Sequence, residues 1–228
     1  MNLLTNLFYL PTDEWGDDAV RMTNIGVGTV IIALIVAALI VYRIQSGKKS
    51  TKITAKQLTF SAMAVALAVV TSMIKMIDMP MGGSVTLFSM LFIVLIGYWY
   101  GPFVGIMTGM AYGLIQFVLE PIFYTIPQML VDYPLAFGAL GLSGFFAGKK
   151  RGLALGYIVG VLGRYVFAFL SGVLFFAAYA PEEMGAVVYS LVYNGSYLLT
   201  EGIITLIIIC LPPMVKAMER IRQLATEE

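Results

Sequence analysis

Apolar residues in this chain are gathered into long runs separated by short polar clusters, and the runs predict helices. The first covers Ile25 to Tyr42, about 18 residues or roughly 27 Å of helix, enough to cross the hydrocarbon core of a bilayer. Further runs follow at Leu58–Ile77, Thr86–Trp99, Phe103–Leu119, Pro127–Ala147, Leu153–Ala178 and Val187–Leu211. Between them lie a Pro/Gly loop (Asp78 to Ser84), a tight Tyr100-Gly101-Pro102 turn and a loop around Glu120-Pro121. Pro127 suits the first turn of the helix that it opens, because a missing N–H costs nothing there. The expectation is an all-α, polytopic membrane protein with seven helices.

The polar clusters orient those helices. Arg43, Lys48, Lys49, Lys52 and Lys56 follow the first run, Lys149-Lys150-Arg151 follow the fifth, and Lys216, Arg220 and Arg222 follow the last. Asp13, Glu14, Asp17 and Asp18 precede the first run, and Glu182 and Glu183 follow the sixth. Basic loops stay in the cytoplasm, so the N-terminus is expected outside and the C-terminus inside. The leading flank is acidic, which suits an uncleaved anchor rather than a signal peptide. The expected units are an extracellular segment (1–23), an added transmembrane helix (24–42), a basic cytoplasmic linker (43–56), a six-helix membrane domain (57–213) and a cytoplasmic tail (214–228).

Composition narrows the function. Of the 228 residues, 60% are hydrophobic and 12% charged, more apolar surface than a soluble domain can hide. A net charge of +1 gives no reason to expect a nucleic-acid partner. The chain has no histidine and one cysteine, Cys210, so no histidine-based metal site, triad or intrachain disulfide is expected. Gly47-Lys48 and Gly148-Lys149 do not complete a phosphate-cradling G-x-x-x-x-G-K-[ST] loop. Uphill transport would therefore draw on another protein or an ion gradient. A self-sufficient secondary transporter is the alternative; it would call for inverted repeats or broken midplane helices, which the sequence does not display.

Small residues mark the packing faces. Gly101, Gly105, Gly109 and Gly113 form one stripe, and Gly138, Gly141 and Gly144 another, both expected to let helix backbones approach closely. Ala62 and Ala66, and Ala64 and Ala68, give two overlapping small-xxx-small pairs on the second helix, which fit internal packing or another membrane subunit.

Asp132 is the residue that most demands a reason, because an ionisable group inside a span normally faces a partner, a cavity or a ligand. Helical rise puts Asp132 and Tyr133 roughly 8–10 Å below the outer end of their helix. Asn194 lies at a similar depth, Tyr189 nearer the mouth, and Phe175 and Phe176 at the outer end of the intervening helix. An acid, an amide and several rings could hold a flat cationic heterocycle by charge and cation–π attraction. Tyr189, Phe175, Phe176 and Tyr179 are open to a second reading as interfacial belt residues. Arg164 and Glu201 fall near the midplane and are expected to pair across their helices, with Arg164 reaching Asp132 as the alternative.

Three segments, Gly97-Tyr-Trp-Tyr-Gly-Pro102, Asp132-Tyr-Pro-Leu-Ala-Phe-Gly138 and Gly185-Ala-Val-Val-Tyr-Ser-Leu-Val-Tyr-Asn-Gly195, resemble the thiamin-specific S components (ThiT/YuaJ type) of energy-coupling-factor transporters. The resemblance spans about residues 56–213. It implies a vitamin-binding membrane subunit that works with a transmembrane coupling subunit and two ATPase subunits, in the bacterial cell membrane. It implies substrate-binding roles for Asp132, Tyr133, Arg164, Phe176, Tyr189 and Asn194, a docking role for Ala62 and Ala66, and a mobile outer loop around Pro80, Gly82 and Gly83. Gln128 is expected among the substrate-binding residues as well. The ligand it implies is thiamin, with no cofactor or metal and no enzymatic activity of its own. Some members carry a histidine and a tryptophan where this chain has Ala168 and Phe176. A phenylalanine offers a weaker cation–π face, so a thiamin precursor or related heterocycle remains the alternative ligand.

Overall fold

The computed structural model describes residues 53–181 and 183–226, with two three-residue strands, β1 (Tyr9–Pro11) and β2 (Val20–Met22), that pair antiparallel. The expected helix at 24–42 and its acidic flank, most of the basic linker and Glu182 lie outside the described residues. The chain from residue 53 onward is a bundle of helices. Five of them are long and apolar enough to cross a membrane, and a shorter sixth is apolar throughout. The protein is an all-α, multi-pass membrane protein.

Helix α1 (Ala55–Ser72) opens with a capping box: Thr54 accepts from the Gln57 N–H, and the Gln57 side chain accepts from the Thr54 N–H. It ends at Ser72, earlier than the hydropathy run suggested. Lys75 to Asp78 instead form strand β3, which pairs antiparallel with β4 (Ser84–Thr86). The run looked helical because Met76 and Ile77 are apolar; their side chains are exposed on the hairpin. Helix α2 (Ser89–Tyr100) is correspondingly short at 12 residues, and Gly101 turns the chain directly into α3 (Pro102–Leu119).

Helix α4 (Ile126–Phe146) is irregular in a way its sequence explains. Thr125 caps it by accepting from the Gln128 N–H, 3.2 Å. Pro134 has no N–H to give and its ring would clash with the preceding turn, so Val131–Leu135 widens into a π-bulge. Its C-terminal end, Ala139–Phe146, tightens to 3₁₀ geometry. Helices α5 (Gly152–Phe175) and α6 (Ala186–Cys210) complete the bundle. The tail, expected only as a cytoplasmic extension, forms a helix, α7 (Pro212–Thr226). Tyr100 ties α7 to the bundle by donating to the Ala225 carbonyl, 2.9 Å.

The glycine stripe of α3 is the seat of α4. A methyl group built on Gly109 would overlap the Phe137 carbonyl, and one on Gly113 would overlap that of Tyr133. Gly141 on α4 leaves no room against Ile106. Backbone contact of this kind replaces the hydrophobic drive that lipid removes. Beside it, Tyr112, Phe137, Leu140, Tyr157 and Leu198 form the buried core. Gly109→Ala is expected to lower the stability of the solubilised protein by about 1–3 kcal/mol, since backbone must move. Gly185→Ala, which meets nothing within 4 Å, is expected to stay within about 0.5 kcal/mol of the parent. Thermal unfolding in one detergent compares the two.

Candidate functional site

A cavity of about 820 Å³ opens between the hairpin, the α3–α4 connection and helices α3 to α6. That is within the range of small-molecule sites. Asp132 reaches it from the π-bulge of α4, where the widened turn carries the carboxylate on the cavity side. Gln128, one turn earlier, is fully buried and stands behind it. Its side-chain amide donates to Asp132 Oδ2 at 2.6 Å and to the Ile122 carbonyl at 3.2 Å, while its oxygen accepts from the Tyr124 N–H at 3.0 Å. Both amide hydrogens are used, so Gln128 orients the acid and braces the loop; it is not among the residues lining the cavity.

Tyr133 borders the cavity with its ring edge-on to Phe117, 5.1 Å between centroids, but its hydroxyl is committed elsewhere. It donates to the Glu120 carbonyl at 2.8 Å and accepts from the Ile122 N–H at 2.9 Å, stapling the α3–α4 connection. Asn194 lines the cavity from α6 while joining α5 to α6: its amide donates to the Ala168 carbonyl at 3.2 Å and to Ser190, and its oxygen accepts from Tyr197 at 3.0 Å. A ligand would meet its remaining acceptor capacity.

The aromatic wall is larger than the sequence suggested. Phe176 follows α5 as its C-cap and stands edge-on to Tyr124, 5.3 Å between centroids. Tyr124 and Tyr179 meet hydroxyl to hydroxyl, and Tyr179, 58% exposed, borders the mouth of the cavity. That contact, with some burial, pushes the Tyr124 phenol above its ordinary value. Phe175 turns away into a separate apolar cluster with Val131 and Leu174. Tyr189 stacks at a tilt on Tyr193, 5.7 Å apart, and Tyr193 meets Tyr197 at 5.8 Å. Tyr193, Tyr197 and Tyr124, with Gln116 and Ser72 at the α1–α3 side, were not picked out from the sequence. The recurrence of tyrosine every four residues at 189, 193 and 197 was the signal available for two of them.

The expected Arg164–Glu201 ion pair is not formed. Ion pairs within 4 Å among the described residues join Lys75 to Glu120 and Arg222 to Glu219, so Arg164 does not pair with Asp132 either. Arg164 lies instead over the Phe137 ring, 4.0 Å from its centroid. Glu201 is buried and faces the start of α2. Its carboxylate accepts from the Thr86 N–H (3.0 Å) and hydroxyl (2.7 Å), the Ser89 hydroxyl (3.3 Å) and the Met90 N–H (3.4 Å). A helix N-terminus and two hydroxyls give a buried carboxylate more directed donors than one guanidinium across the bundle could.

Gly83 borders the cavity, whereas Pro80 and Gly82 stand behind the lining in the hairpin turn, closed by the Gly82 N–H donating to the Met79 carbonyl at 2.9 Å. Ala62 and Ala66 lie on the exposed side of α1, opposite the buried Ala64 and Ala68. Gln128→Met is expected to cost about 1–3 kcal/mol, because it strands the Tyr124 N–H and removes the donor to Asp132. Thermal unfolding in detergent reads that loss, and a change below about 0.5 kcal/mol would contradict the bracing role.

Residues 58–220 match the thiamine transporter protein family (Thia_YuaJ). The chain is 36% identical over 165 residues to the thiamine transporter ThiT of Bacillus subtilis, covering 66% of this chain and 84% of that protein. It is 34% identical over 105 residues to ThiT of Lacticaseibacillus paracasei, 40% of this chain and 50% of the relative. The structure of ThiT from Listeria monocytogenes superposes with a TM-score of 0.59 at 27% identity, covering 69% of this chain and 94% of that one. The chain belongs to the thiamine transporter family of ThiT-type membrane proteins.

Proposed function

We propose that the protein binds thiamin from outside the cell and delivers it inward as the substrate-binding subunit of an energy-coupling-factor transporter. The observation that carries this reading is Asp132, a carboxylate held by Gln128 at the edge of an aromatic-walled cavity of about 820 Å³. Thiamin joins an aminopyrimidine to a cationic thiazolium. A carboxylate answers the charge and the amine, and Phe176, Tyr124, Tyr179 and the Tyr189–Tyr193 pair offer faces and edges to two flat rings. Family membership and the ThiT relatives support the same ligand. In the orientation favoured by the basic loops, the cavity faces outward and the C-terminus lies in the cytoplasm.

The chain carries no phosphate-cradling loop, so the energy is assigned to two ATPase partners joined through a membrane coupling subunit. Ala62 and Ala66 offer that subunit a smooth exposed face on α1. Arg164 borders the cavity over Phe137 and serves the ligand through its N–H groups. A self-sufficient secondary transporter is distinguished by reconstitution alone, where this account expects no uptake.

Purified protein is expected to bind thiamin without ATP in calorimetric titration. Asp132→Asn removes the charge with little change of shape and is expected to weaken binding by about two orders of magnitude, as for loss of a desolvated charged partner. Equal affinity of the parent and Asp132→Asn would remove the carboxylate from the site, and tighter binding of an isolated pyrimidine or thiazole would move the substrate to a precursor.

A further inference from the structure

The face of α6 turned toward the cavity repeats every four residues: Tyr189, Tyr193, Tyr197, Glu201. The β3–β4 hairpin and its exit lie along three of them in order. Gly82 sits against the Tyr193 ring, where an added Cβ would be 3.2 Å from Cε2. Gly83 sits against Tyr197, where it would be 2.6 Å from Cδ1. Both glycines have positive φ, +97° and +79°, so the turn presents bare backbone to the rings in a conformation that side chains resist. Thr86, at the end of β4, then meets Glu201 through both its N–H and its hydroxyl.

Glu201 is the buried polar tie in this arrangement, only 4% exposed. The Lys75–Glu120 pair that also holds the hairpin is 3.5 Å long between side chains 48% and 72% exposed, where water and salt screen it. The same carboxylate caps α2, which lacks a side-chain cap of its own: its N-cap residue is Phe88, in a left-handed conformation at φ 59°. Met81, Gly83, Ser84 and Thr86 wall the cavity on the hairpin side. Lifting these residues off α6 would widen the cavity on that side.

We propose that Glu201 is the anchor of a lid. It holds Thr86 and the start of α2 to α6, keeps the hairpin seated along Tyr193 and Tyr197, and thereby sets how fast a bound ligand leaves. Glu201 acts through Thr86 and is a positioning residue. The choice of ligand rests on the thiamin reading above, whereas the anchoring does not.

Two variants test the tie from its two ends: Glu201→Gln, which exchanges an acceptor for a donor, and Thr86→Val, which removes the hydroxyl and keeps the N–H. Spin labels at Met81 and Val192, in a chain with Cys210→Ala, report the hairpin-to-α6 distance by pulsed electron resonance without ligand. Both variants are expected to broaden that distribution toward longer distances and to speed release of radiolabelled thiamin about tenfold, with association changed much less. The double variant is expected to be little faster than either single one, because the two changes break the same bond. An unchanged distance distribution in both variants overturns the anchor. So does thiamin binding to the parent with release from both variants at the parent rate. A broadened distribution with no thiamin binding to the parent upholds the anchor and overturns the ligand assignment instead.

Discussion

A carboxylate inside a membrane span must be given donors, a counter-charge or water, and much of the cavity end of this molecule is arranged around meeting that need at Asp132. Its own helix supplies the donor, through Gln128 one turn away. The helix can do so because Pro134 forces the turn that carries Asp132 to widen, which aims the acid at the cavity. Such a turn survives in lipid only where protein covers it. The glycines of α3 bring backbone to within contact of Tyr133 and Phe137, closing lipid off from the bulge. Glycine spacing, proline bulge and buried acid therefore form one construction.

The polar side chains around the cavity divide by whether their hydrogen bonds are already spent. Tyr133 gives its hydroxyl to the α3–α4 connection, and Gln128 uses both amide hydrogens on the walls. Asn194 is largely consumed in holding α5 to α6. Asp132, Arg164 and the tyrosine faces keep capacity to spare. The side chains whose bonds are spent fix the shape of the site, which lowers the ordering cost of binding.

Much of this was legible in the sequence, and the remainder was hidden for identifiable reasons. The helices at 102–119, 126–146 and 186–210 follow from hydropathy, and Pro127, Gly101 and the lysine loops mark their ends. Asp132 stood out because nothing apolar explains it. The hairpin did not, since Met76 and Ile77 extend the apolar run of α1 and short exposed strands leave no alternating pattern. Depth alone suggested that Arg164 and Glu201 should pair. It could not show that α2 begins beside Glu201 with unsatisfied N–H groups, because that depends on Phe88 adopting a left-handed turn. Tyr193 and Tyr197 carry no mark in the sequence beyond their four-residue spacing, because their role depends on the hairpin that rests on them.

Mass spectrometry of the small molecules carried by protein purified from its native membrane tests the central claim most directly. Thiamin is expected to be released on denaturation, in near-stoichiometric amount, and to be absent from the Asp132→Asn protein prepared in parallel. A different compound recovered at stoichiometric level, or thiamin recovered equally from both proteins, would contradict that claim.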